Sequence, residues 1–267
     1  MRSLLRPFRS LAPILAVCAP LATTMAADLL PHEARYTVRL GTSANGPQIG
    51  GAVQRLSTDC RVRRLRREVS TEFALTPALR FVTESKLDGT ETRGGGAFEY
   101  RLERRNNDKV ESLSGKVTAG KTGVRADIQF PGRPFAFDLP VGTLLPVTGI
   151  ARIVDRLKAG ATAFNFIVFD PELTSDALTV DVGLASPEML RPPRPDGAAA
   201  KIPAGAAWPV SIAFTPTRKG GQPLFVLSTM MHESGILDRV SVTAGIFALG
   251  ADLTDLRIEP VPNCPTS

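Results

Sequence analysis

Gly115-Lys116-Val117-Thr118-Ala119-Gly120-Lys121-Thr122 fits the spacing of a phosphate-cradling P-loop letter for letter. That chemistry needs a helix to start where the loop ends, so that backbone N–H groups converge on the phosphates. Here the following residues alternate as a strand and run into Pro131-Gly132, where no helix can start, so no nucleotide is expected to bind. Other catalytic sets are thin. The chain has two histidines, His32 and His232, far apart and without HExxH or HxH spacing for a metal. They read as strand-end residues, and no GxSxG elbow is present. Asp252 with Asp255, or Glu84 with Asp88, could be drawn as a glycosidase pair, but carboxylates at such spacings occur on most surfaces. The expectation is a protein without enzymatic activity, metal or cofactor.

The three cysteines carry more information. Residues 1–26 combine Arg2, Arg6 and Arg9, an apolar run from Leu11 to Leu21, and a small-residue end at Thr24-Met25-Ala26. This is the pattern of an export signal cleaved before Ala27. The run contains Pro13 and Pro20 and falls short of the ~20 apolar residues that span a bilayer. Cys18 lies inside it, and Leu15-Ala16-Val17-Cys18 only partly resembles a lipobox, because Val17 is bulky where such signals carry a small residue. Cys60 and Cys264 then remain as an even count, too far apart for a redox CxxC and without the clustered histidines of a zinc site. A structural disulfide accounts for them and points to an oxidising compartment, with the chain secreted or periplasmic; the periplasm is the expected location.

Export also changes the charge argument. Loss of the three signal arginines lowers the formal net charge of +6 to +3. Arg61, Arg63, Arg64, Arg66 and Arg67 still crowd together. In an exported chain their available partners are anionic headgroups or an acidic protein face, and nucleic acid is excluded. The plain alternative is a solvated face whose aliphatic stems cover core edges.

The elements that must position these residues read mostly with period two. Ala34, Tyr36, Val38 and Leu40 alternate with polar residues, as do Phe98, Tyr100 and Leu102, and Val124, Ala126, Ile128 and Phe130. Further runs fall at 79–87, 109–118, 163–169, 177–184, 207–215, 223–232, 237–243 and 247–259, with Gly, Pro, Asp or Asn between them. Residues 61–73 are ambiguous, since Val62, Leu65, Val69 and Phe73 also step by three and four; strand is favoured. Many short strands mean an all-β, many-stranded antiparallel β-spiral or open barrel over 27–267. One segment departs from the pattern. Over 146–158, Ile150, Ile153, Val154 and Leu157 have helical spacing, with Pro146 at the start and Gly160 just beyond the end. Such a short amphipathic helix would plug or cover the sheet. Residues 187–209, with six prolines, read as a long surface excursion that could divide two halves.

Trp208 opens the strand after this excursion and reads as a core anchor. If the interior is hollow, Trp208, Phe164, Phe166 and Phe225 are candidates to line an apolar cavity.

An ordered set of segments resembles the EipB cell-envelope-integrity family of alphaproteobacterial periplasmic proteins, long held as a domain of unknown function. It comprises Leu30-Pro31-His32-Glu33-Ala34-Arg35-Tyr36, Cys60, Glu84-Ser85-Lys86-Leu87-Asp88-Gly89, Trp208-Pro209-Val210-Ser211-Ile212, Glu233-Ser234-Gly235-Ile236, Gly245-Ile246-Phe247-Ala248-Leu249, Leu253-Thr254-Asp255-Leu256 and Cys264. The resemblance implies an open β-spiral with one short helix, a bond between Cys60 and Cys264, and a shape related to periplasmic lipoprotein carriers. The chain departs from the family's habits at Arg61-Val62-Arg63, at Leu145-Pro146-Val147-Thr148-Gly149 and at Phe169-Asp170-Pro171, as a divergent member would. The implied function is support of envelope integrity through contacts with other periplasmic envelope proteins. The alternative is a carrier or sensor of a lipid or other apolar envelope component.

Overall fold

The computed structural model describes residues 29–76, 79–173, 176–194, 197–218 and 221–264. The proposed signal and Cys18 lie outside them. Fourteen strands form one antiparallel sheet: β1 (His32–Leu40), β2 (Gln48–Thr58), β3 (Val62–Thr76), β4 (Leu79–Thr92), β5 (Ala97–Asn106), β6 (Lys109–Ala119), β7 (Val124–Phe130), β8 (Arg133–Leu139), β9 (Ala163–Phe169), β10 (Ala177–Leu184), β11 (Ala207–Pro216), β12 (Phe225–His232), β13 (Leu237–Ala244) and β14 (Phe247–Ile258). Consecutive strands are neighbours, and the two arms of this meander meet where β1 pairs with β14. β8 and β9 are left at the two ends, so the sheet is an open barrel. The helix α1 (Pro146–Lys158) connects them.

Alternation explains why these segments are strands. Along β5, Phe98, Tyr100 and Leu102 are buried while Glu99, Arg101 and Glu103 are exposed, and β7 repeats this with Val124, Ala126 and Ile128. Each large side chain buried this way contributes about 1.5–3 kcal/mol. The inward residues join Leu65, Leu87, Phe169, Leu178, Val210 and Ile212 in one core, which α1 fills with Val147, Ala151, Val154 and Leu157. The ambiguous segment at 61–73 lies in β3, because β2 and β4 pair along it on both sides and tertiary pairing outweighs a helical step.

The Pro-rich excursion does not divide the fold. It joins β10 to β11, which are hydrogen-bonded neighbours with Leu184 opposite Val210, and its last three residues already belong to β11. Two 3₁₀ turns, Pro187–Met189 and Ala198–Lys201, interrupt it. Arg191, buried, pins it across the sheet's seam. The guanidinium donates to Asp252 Oδ1 at 2.9 Å and to the carbonyls of Gly41 and Ser43 at 3.2 and 3.1 Å, while Arg39 holds the other oxygen of Asp252 at 3.0 Å. A small second cluster of Ala34, Ala198, Ile236, Leu253 and Leu256 completes the contact.

Candidate functional site

The site is built around α1. Proline at its first position presets φ and lacks the N–H that a helix start leaves unbonded. Leu145 precedes it and offers no side-chain cap. The cap comes instead from Glu91 on β4, a fully buried side chain whose carboxylate accepts from the backbone N–H of Val147 at 2.8 Å and of Thr148 at 2.9 Å, and from the Thr148 hydroxyl. Burial pushes the Glu91 carboxyl above its ordinary range, against the pull of these hydrogen bonds and of Arg63. At the other end Gly160, with φ +82°, stops the helix: its N–H bonds the carbonyl of Leu157 and the next N–H bonds that of Arg156.

So held, α1 roofs a cavity of about 220 Å³. Pro146, Gly149, Ile150 and Ile153 line it from the helix; Phe166, Val168, Val180, Ile212, Phe214, Phe225, Leu227, Met231 and Leu237 line it from β9 to β13. Gly149 keeps the roof close, since a Cβ there would stand 3.1 Å from Val168. One end of this apolar space is ionic. Arg67 and Asp170 face it, 2.5 Å apart, and Glu172 stands 2.6 Å from Arg67 and accepts from Ser85 at 2.8 Å. Burial alone would lower the Arg67 guanidinium, but the two carboxylates hold it above its usual range. The cavity can therefore take up a hydrocarbon group, with a closed charge network at one side that limits how deep a polar head could go.

Of the four residues expected to line an apolar cavity, Phe166 and Phe225 do so. Phe164 does not: two places along β9 from Phe166, it borders a separate hollow, with the Arg156 guanidinium 5.7 Å from its ring centre. Trp208 packs against the core at the start of β11 without reaching the cavity. The five-arginine cluster does not form one surface, because all but Arg61 lie on β3 and period two splits them. Arg61, Arg64 and Arg66 are exposed, with Arg64 on Asp59 at 2.9 Å and Arg66 on Asp88 at 2.8 Å. Arg63 and Arg67 turn inward, to the neighbourhood of Glu91 and to Asp170.

Cys60 and Cys264 are bonded, with Cα atoms 5.3 Å apart, joining the β2–β3 turn to the C-terminal tail. The P-loop-like residues 115–122 end β6 at Ala119 and run into the short link to β7, which starts at Val124, so a strand and not a helix follows them. His32 heads β1, buried, with Nδ1–H donating to the Leu30 carbonyl at 2.7 Å; burial lowers its pKa. His232 closes β12, and burial lowers it too, opposed by Asp238. The suggested carboxylate pairs are occupied structurally: Asp252 by arginines, Asp255 by Lys201 at 2.9 Å, Asp88 by Arg66, and Glu84 by Arg105 at 3.8 Å. Sequence reasoning missed Glu91 and the Arg67–Asp170–Glu172 network. The signal for the first is a helix that starts at Pro146 with Leu145, not Ser, Thr, Asp or Asn, at the capping position, which implies a cap from elsewhere.

Among the described residues no helix is long and apolar enough to cross a membrane. No curated protein matches the chain. Among solved structures, the chain is similar to a β-barrel-like protein of a domain of unknown function from Brucella abortus, with a TM-score of 0.76 at 18% identity, over 88% of this chain and all of that one. At that identity the likeness concerns the fold. Residues 23–260 match the family described as EipB-like. A match over this much of the sequence, together with an open β-barrel plugged by one helix, shows that the chain belongs to the EipB-like family.

Proposed function

We propose that the protein works in the periplasm as a non-enzymatic component that supports cell-envelope integrity, and that it does so by holding an apolar group, a lipid or an acyl chain, beneath α1. The cavity walled by α1 and β9–β13 carries this reading. Its volume is below the roughly 300–1,000 Å³ of drug-sized sites, which suits a single hydrocarbon segment. The ionisable groups at its wall are committed to one another, as structural groups are. The disulfide supports an oxidising compartment. Native mass spectrometry of gently purified protein tests the reading, and a bound lipid-sized mass is the expected result. Protein that repeatedly emerges empty and takes up no apolar probe refutes the cavity's role. A deletion strain with ordinary resistance to detergent and cell-wall antibiotics refutes the envelope role.

Contacts with other envelope proteins form the second reading. It is favoured by β8, which ends the sheet and leaves Phe135 half exposed. A photo-crosslinker at position 135 in intact cells should trap a periplasmic partner, and a clean lane at full expression opposes the idea.

A further inference from the structure

Two neighbouring flanks of α1 differ in chemistry. Gly149, Ile150 and Ile153 look into the apolar cavity, while Arg152 and Arg156, one turn apart, are exposed on the flank beside them. Both arginines border a hollow of about 270 Å³ floored by Leu144, Phe164 and Phe166. Arg152 also borders an adjoining hollow of about 550 Å³, into which Arg63 and Arg93 reach and which shares Gly142 and Leu144 with the first. Among the described residues neither lining contains an Asp or Glu. Glu91, which feels Arg63, is taken up by the start of α1. Lys158, further along α1, is paired with Glu233 at 3.6 Å.

Phe166 joins the two environments, for it lines both the apolar cavity and the arginine hollow. Resting on the proposed apolar-binding role, we propose that the ligand is an anionic amphiphile. Its hydrocarbon chain lies in the cavity, and its headgroup passes Phe166 to rest on Arg152 and Arg156. Two guanidinium groups beside an aromatic floor suit a carboxylate or a phosphate, which they can bind in bidentate fashion. The closed Arg67–Asp170–Glu172 network at the far side offers no opening for such a head, so the chain enters tail first.

Titration calorimetry on the full mature protein with dodecanol, dodecanoate and dodecyl phosphate, three probes with one chain, tests this. Both anions should bind about tenfold tighter than the alcohol, and raising the salt should weaken only the anions. The tighter of the two anions identifies the headgroup as phosphate or carboxylate. In the Arg152→Ala/Arg156→Ala variant the anions should fall to the level of the alcohol while dodecanol is unchanged. Arg152→Lys/Arg156→Lys, which keeps the charge on an intact helix, should retain most of the preference. Equal binding of all three probes by the natural protein, or an alanine variant with the anion preference intact, overturns the headgroup assignment and leaves the cavity standing. Binding of none of the three refutes the cavity's role itself.

Discussion

Replacing Glu91 by alanine should loosen the helix that roofs the cavity. The carboxylate serves two backbone N–H groups and one hydroxyl. Val147 is fully buried, so water cannot replace the lost acceptor there. A fully unsatisfied buried donor costs about 1–3 kcal/mol, and loss of a helix cap by itself costs about 0.5–2 kcal/mol. With partial hydration at the half-buried Thr148, a total of about 3 kcal/mol is expected. In a domain of this size that corresponds to a melting temperature lower by about 6–12 °C. Glu91→Gln keeps one acceptor oxygen and should lose about half as much. Thermal denaturation followed by circular dichroism gives the stability, and hydrogen exchange at the Val147 and Thr148 amides locates the damage. A Glu91→Ala protein that melts within 1–2 °C of the natural one, with those amides equally protected, refutes the assignment of Glu91 as the cap.

The Cys60–Cys264 bond closes a loop across a separation of 204 residues, for which the chain-entropy model gives a stabilisation of up to about 5 kcal/mol. The Cys60→Ser/Cys264→Ser variant should stay folded but melt lower and be cleaved faster by protease, and two free thiols in periplasmically expressed protein would contradict the bond. Because burial holds the His32 pKa below its unfolded value, stability present above about pH 6.5 is lost as pH falls toward the folded value. His32→Gln should remove part of that slope, at most about 1.4 kcal/mol per pH unit, and unchanged urea midpoints between pH 7 and 5 in both proteins would dispose of the claim. Arg191→Met should cost about 3 kcal/mol, the low end for a broken buried pair since Arg39 still neutralises Asp252. Limited proteolysis should then cut within 187–206, and a segment that stays resistant would show that Arg191 does not pin it.

What could be read in advance followed from local periodicity. β5 and β7 show their buried faces in every second residue, and α1 occupies the span its apolar spacing, Pro146 and Gly160 mark out. β2 and β8 escaped. Gly50-Gly51 blurs the alternation of β2, although the sheet itself demands glycine, since a Cβ on Gly50 would stand 1.9 Å from the Ser70 carbonyl oxygen. β8 carries Pro134, tolerated because that strand ends the sheet. At the site the limit was distance along the chain. Phe166 and Phe225 border the cavity from inward faces of strands that period two marks, but the dependence of α1 on Glu91, or of Arg67 on Asp170, joins residues no local pattern connects. Composition marked five arginines as one patch, and only the strand's two-sided geometry divides them.

The pairing of β1 with β14 bears on how the molecule comes into being. Among the described residues the earliest strand has its second neighbour in the latest, with His32 opposite Ile258. Until the chain is complete, β1 offers a bare row of N–H and C=O groups to any other strand it meets. Contacts so distant in sequence form slowly, and the waiting species is prone to aggregate. A folding helper that shields β1, or rapid delivery of the whole chain, would matter more to the yield of this protein than the strength of any single strand pair within either arm.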